Sequence, residues 1–299
     1  MFRTLIVYPL GWILNFIYQF VQNYGWSLIV FTLAVKILLL PLNLKQQKST
    51  TRMQMVQPKM AELQKKYEND KNKLSEETMK LYKDYEISPM GGCLPMLIQL
   101  PILFGLYRVI YQPLTYMLRM GEDVVNGYMT ELGLTKTPQV EIFIAKAKDL
   151  VNFNFLGLDL SATPSFTKID WLWLIPILAA GTTFLTSKIT TWVSGQGKKK
   201  EEEPQKPTRV LNPEAKPASP SGESTMKTMT YFMPIMTGWI AFSFPAALGL
   251  YWTISNVVSL AQTLLLNGYY SKKLKEEFIL LEERKALEES EKRHKRKKG

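Results

Sequence analysis

A chain of 299 residues that is 46% hydrophobic and carries a formal net charge of +11 separates its apolar and charged residues into long alternating runs, which excludes an ordinary soluble domain. The single cysteine, Cys93, excludes an intramolecular disulfide and a cysteine-based metal cage, and the single histidine, His294, lies in a charged tail, away from any active site it could serve. Under the positive-inside rule the location of the basic residues carries more information than their sum.

No cleavable signal peptide is expected. Arg3 is the only basic residue before the first apolar run, no A-x-A-like site follows that run, and no cysteine lies nearby to accept a lipid. Residues 4–22 are apolar but striped. Tyr8, Gly11, Asn15, Gln19 and Gln22 recur at three- and four-residue steps and give one softer face. That pattern predicts an N-terminal helix (residues 1–24) lying in the membrane interface, with a first membrane span as the alternative.

The first span is predicted over 25–44, and Lys36 is its only charge between Trp26 and Leu44. At 1.5 Å per residue, Lys36 lies about 15 Å from Trp26 and about 13 Å from Lys45. A lysine side chain covers only part of that distance, so it cannot snorkel fully to either interface. A cation near the bilayer centre costs roughly 2.5–3.5 kcal/mol on insertion scales. No predicted span carries Asp or Glu away from its ends; Asp170 sits at a boundary. The Lys36 ammonium is therefore expected to face water inside the membrane, or an acidic partner that comes and goes. Thr32, one turn earlier on the same face, is a candidate neighbour.

Residues 45–89 predict a cytoplasmic antiparallel helical hairpin. Met53, Val56, Met60, Leu63 and Tyr67 form a heptad seam on its first helix, and Leu74, Thr78, Leu81 and Tyr85 one on its second. Ser75 is the expected N-cap of the second helix, and Ile87, Ser88 and Pro89 its end. Pro58 either kinks the first helix or starts a fresh one. Met53 and Met60 offer a soft surface for apolar partners, although ordinary packing explains methionines as well. Lys65 and Lys66 add charge at the tip.

The second span is predicted at 90–113, an extracytoplasmic loop at 114–169, and the third span at 170–192. A disordered cytoplasmic linker follows at 193–226, then spans four and five at 227–270 and a basic cytoplasmic tail at 271–299. The flanking segments hold alternately many and few Lys/Arg. There are ten in 45–89, five in 114–168, seven in 193–227 and eleven from 271 onward. This puts 114–168 and the N-terminus outside, and the hairpin, linker and C-terminus in the cytoplasm. Polar groups inside the spans are candidate cavity residues: Gln99 in span two, Ser255 and Asn256 in span five. Their alternative role is to pair helices by hydrogen bonds. No nucleotide, metal-protease or hydrolase motif is present; "SGQGKKK" lacks phosphate-loop spacing. Neither enzyme activity nor a cofactor nor a metal is expected.

Several linked strings resemble the YidC/Oxa/Alb membrane-protein insertases from about residue 5 to 270. "VKILLLPLNLKQQKS" looks like that family's first conserved span and its exit, and "MVQPKMAELQKKY" resembles the first hairpin helix, Pro58 included. "SPMGGCLPMLIQLPILFGLY" is similar to the second span, and "FMPIMTGWIAFSFPAALGLYWTISN" to the closing pair. The resemblance implies an all-α integral membrane protein: a five-span bundle enclosing a hydrophilic groove open to cytoplasm and lipid. It implies that Lys36 supplies the groove's positive charge where most members carry arginine, which keeps the charge but loses the planar five-donor fork. Gln99 and Trp252 carry over as groove residues. Thr32 and Asn256 join them on spacing alone. The large extracytoplasmic domain of Gram-negative members and the lipid-modified cysteine of many Gram-positive ones are not expected here.

The expected activity is energy-independent insertion of nascent membrane-protein segments into the bilayer of a bacterial cell membrane, alone or with the Sec translocon. Met53, Met60, Lys65, Lys66, Lys295, Arg296, Lys297 and Lys298 are the candidate client- and ribosome-docking residues. The basic tail suits ribosomal RNA and anionic lipid alike. The alternative is a small-solute transporter or channel with Lys36 as its anion site, which would need inverted repeats or broken helices that the sequence does not display.

Overall fold

A computed structural model of the chain describes residues 1–85, 87, 94–167, 169–193 and 222–298. The end of the predicted hairpin beyond Ile87, Cys93 and most of the 193–226 linker lie outside the described residues. So do the side chains of Met226 and Met229 and of Lys295, Arg296, Lys297 and Lys298. The fold is almost wholly helical: α1 (Tyr8–Val21), α2 (Tyr24–Leu38), α3 (Leu40–Lys66), α4 (Lys71–Asp84), α5 (Leu94–Tyr111), α6 (Pro113–Tyr116), α7 (Glu122–Glu131), α8 (Val140–Ala147), α9 (Leu174–Val193), α10 (Gly222–Ser243) and α11 (Ala246–Lys298). The described strands are a two-residue pair, β1 (Asn154–Phe155) and β2 (Leu158–Asp159), joined antiparallel. The chain divides into two compact units.

The larger unit contains α1, α2, α5 from Ile98 onward, α6–α8, α9 to Thr191, α10 and α11 to Leu260. A wider helical turn, Arg3–Val7, leads into α1. Together Arg3–Val21 and, separately, Trp171–Thr190 are long and apolar enough to cross a membrane, by length and composition. For the first of these the striped face predicts an interfacial placement, with a membrane span as the alternative. Its buried side is Val7, Leu10, Gly11 and Leu14, while Trp12, Phe16 and Phe20 are exposed and touch ring to ring along the helix.

Two glycines let backbones approach in this unit. A Cβ on Gly11 would sit 2.1 Å from the Tyr116 carbonyl oxygen, and one on Gly25 would sit 2.3 Å from the Phe155 ring. The segment predicted as one loop at 114–169 has a built interior. The Glu141 carboxylate of α8 accepts from Thr115 N (2.8 Å) and Thr115 Oγ1 (2.7 Å). Burial pushes that carboxyl above its ordinary value, and the bonds from Thr115 and Leu114 only partly offset the shift. Ala246 N and Ala247 N donate to Ala162 O and Leu160 O, so this segment also caps the start of α11.

The smaller unit contains α3, α4 and the remainder of α11. A single residue, Leu39, separates α2 from α3, so the helix that begins at Leu40 absorbs the end of the predicted first span. Pro58 lies inside α3, which runs on through it. The chain turns over Tyr67–Asp70 into α4. The N-cap is Asp70, whose Oδ1 accepts from Lys73 N at 3.0 Å, and not Ser75. Asp70 wins because the helix starts one turn earlier, which leaves Ser75 on its exposed side. Val56, Tyr85 and Ile87 form the buried centre, with Met53, Leu81, Tyr82 and Phe278 packed on it. Thr78 Oγ1 lies 3.6 Å from Met60 Sδ across the two helices.

Candidate functional site

Lys36 is in the last turn of α2, half-buried, and its Nζ donates to Ser259 Oγ of α11 at 2.8 Å. Gln99 Nε2 of α5 donates to Tyr251 OH of α11 at 2.8 Å. Tyr251 also hydrogen-bonds Ser255. Tyr251, Ser255 and Ser259 follow one another at four-residue steps, so they form one stripe along α11, about 12 Å long. Three helices thus bring an ammonium, an amide, a phenol and two hydroxyls to one polar line. Neither α2, α5 and α9 nor residues 246–275 of α11 contain an Asp or Glu. Among the described residues Lys36 has a hydroxyl partner and no carboxylate partner. A hydroxyl accepts a hydrogen bond from the ammonium but leaves its charge uncompensated.

The other candidates divide differently. Thr32 is 1% exposed and its hydroxyl donates to Leu28 O of its own helix at 2.7 Å, so it contributes packing and no free polar group. Asn256 is one residue past Ser255, about 100° further around α11. Its Nδ2 donates to Thr183 Oγ1 (2.8 Å) and Thr182 Oγ1 (3.3 Å) of α9, a helix-pairing role. Trp252 is half-buried on the side shared with Asn256. Ser259 and Tyr251 escaped the sequence reading. Their signal was the i, i+4, i+8 recurrence of polar residues in an apolar helix.

In the smaller unit Met53 and Met60 are half-buried in the hairpin packing, whereas Lys65 and Lys66 are exposed at the tip. Lys66 Nζ lies 5.2 Å from the Tyr67 ring centre.

An almost wholly helical fold with apolar helices is that of an all-α membrane protein. The sequence pattern of the 60Kd inner membrane protein family matches residues 16–273, and the chain belongs to that family. It is 33% identical to the membrane protein insertase YidC of Oceanobacillus iheyensis over 89% of this chain and 83% of that protein. With the YidC of Clostridium perfringens the identity is 34%, over 84% of this chain and 81% of the relative. The YidC of Syntrophus aciditrophicus is 33% identical over 87% of this chain, but the match spans only 36% of that longer protein. The family is one of bacterial inner-membrane insertases and chaperones, and not of enzymes.

Proposed function

We propose that this chain is a membrane protein insertase and chaperone that guides nascent segments from the cytoplasm through a positively charged hydrophilic groove into lipid. The observation that carries the reading is Lys36: a half-buried cation on a polar stripe, with no carboxylate within its own helices to neutralise it. An acidic or polar stretch of a client supplies the missing charge and lowers the cost of bringing that stretch partway into the membrane. Gln99, Tyr251, Ser255 and Ser259 offer replaceable hydrogen bonds along the same line, while Trp252 flanks it. The client's apolar stretch then slides into lipid, and hydrophobic burial drives the step without nucleotide.

In this reading five segments span the membrane, residues 4–22 lie in the interface, the N-terminus and 114–169 are outside, and the C-terminus is cytoplasmic. The basis is the distribution of Lys and Arg along the chain. The hairpin receives clients, including those handed over with the Sec translocon. The basic run Lys295, Arg296, Lys297 and Lys298 meets ribosomal RNA or anionic headgroups. The test is reconstitution in liposomes. Purified protein inserts a short client with an acidic translocated tail in the absence of nucleotide, and Lys36→Arg retains this while Lys36→Glu loses it. Solute flux without insertion would assign the chain to the transporters instead.

A further inference from the structure

The helix that leaves the larger unit does not stop there. Within the smaller unit, α11 presents Leu274, Glu277, Phe278, Leu281 and Glu282 on one face, the i, i+3, i+4, i+7, i+8 pattern of an amphipathic helix laid in a groove. Leu274 is 2% exposed. Phe278 stacks on Tyr85 at 5.0 Å, next to Val56 and Ile87. Lys59 of α3 sits 4.9 Å from the Tyr85 ring centre and 5.8 Å from that of Phe278, and pairs with Glu282 at 2.5 Å. Arg52, two turns earlier on α3, pairs with Glu277 at 3.3 Å. Desolvation works to lower the Lys59 pKa, but hydrogen bonds from its ammonium to Glu282 and Tyr85 outweigh it and hold the group above the usual lysine value.

We propose that the α3–α4 hairpin is a receptor for an acidic amphipathic helix of an incoming client, and that residues 274–282 of α11 are its resident occupant, displaced when the client arrives. This rests on the insertase reading for the nature of the client. The occupant defines the chemistry of its replacement: a leucine or aromatic ridge flanked by carboxylates that meet Arg52 and Lys59.

Three features make the occupant exchangeable. Both ion pairs are at the rim, with side chains 29–41% exposed, where each contributes little. The seat is incompletely filled, since a cavity of about 20 Å³ remains among Arg52, Met55, Val56, Leu274, Phe278 and Leu281, room for about one water. Gly268 lies within α11, six residues before Leu274, exposed, and a Cβ there would meet nothing within 4 Å among the described residues. Among the described residues no close approach requires that glycine, and glycine weakens a helix interior, so it is a soft point ahead of the seat. A tethered occupant acts at an effective concentration of the order of millimolar. A free peptide therefore competes poorly, whereas a segment delivered directly at the hairpin does not have that handicap.

The test uses the full chain in nanodiscs and a fluorescent synthetic peptide copying residues 270–290, with binding read by anisotropy. The expectation is weak binding to the wild type and about tenfold tighter binding when the resident segment is loosened by Glu277→Lys with Glu282→Lys, or separately by Phe278→Ala. Adding Arg52→Glu and Lys59→Glu to Phe278→Ala abolishes the gain. If neither loosened chain binds the peptide more tightly than the wild type, the seat is not exchangeable and the proposal fails. It also fails if a peptide with both glutamates changed to lysine binds the Phe278→Ala chain equally well. Because binding is read without insertion, failure here leaves Lys36-dependent insertion standing, and loss of insertion leaves this binding standing.

Discussion

Replacing Lys36 with glutamine removes the positive charge and leaves a polar side chain one atom shorter than the lysine whose Nζ lies 2.8 Å from Ser259 Oγ. The size of the effect follows from the setting of the group. A carboxylate about 4 Å from an ammonium gains about 1 kcal/mol in bulk water and about 4 kcal/mol at the effective dielectric of a protein surface. Lys36 is half-buried and has no competing acid on α2, α5, α9 or residues 246–275 of α11, so an intermediate value of about 2 kcal/mol applies, or about 30-fold in rate. The assay is insertion into proteoliposomes of three clients that differ only in bearing zero, one or two aspartates in the translocated tail. Lys36→Gln should slow the one-aspartate client about 30-fold and the neutral client less than about threefold, while Lys36→Arg stays within a few-fold of wild type. Raising the salt should narrow the gap between wild type and variant, in proportion to how wet the site is. Equal losses across the three clients would refute the reasoning, because a structural defect is indifferent to client charge.

Asn256→Ala removes the bonds to Thr182 and Thr183 and should cost about 0.6–1.7 kcal/mol of stability in detergent, with client selectivity unchanged. Gly11→Ala drives a methyl to 2.1 Å from the Tyr116 carbonyl oxygen, and thermal melting should report a loss of about 1–3 kcal/mol. Glu141 has a raised carboxyl pKa, so the folded state binds its proton more tightly than the unfolded state does. Its stability contribution is full below the ordinary value of 4.5 and is lost as pH rises through the raised value. The Tm difference between wild type and Glu141→Gln should therefore shift against the wild type as pH rises across that window, then level off. Gly268→Ala should stiffen α11 by about 1 kcal/mol and slow deuterium exchange around Leu274 and Phe278.

Lys36 was legible because its chemistry is conspicuous against its background. A lysine inside an apolar run needs a reason, and the absence of acids in the other spans is a matter of reading. The hairpin seams were legible for the same reason, since Val56, Leu81 and Tyr85 recur at heptad spacing and meet in the buried centre. Three things were less visible. Asp70 and Ser75 both have capping chemistry, and the choice depends on where the first turn starts. Thr32 shares a helix face with Lys36, yet its hydroxyl returns to Leu28 O, an internal option that spacing cannot reveal. Asn256 and Ser255 differ by one residue but point about 100° apart, so which of them faces α9 depends on a rotation that only packing decides.

The tail shows how charge counting can hide an apolar seam. From residue 271 the eleven Lys/Arg dominate any reading of composition, and they suggest a solvated arm held by nucleic acid or lipid. Yet Leu274, Phe278 and Leu281 keep a helical period beneath those charges, and in the structure they lie on the centre of the hairpin. Composition averages over every face of a helix, so a seam that recurs only every three or four residues does not show in it.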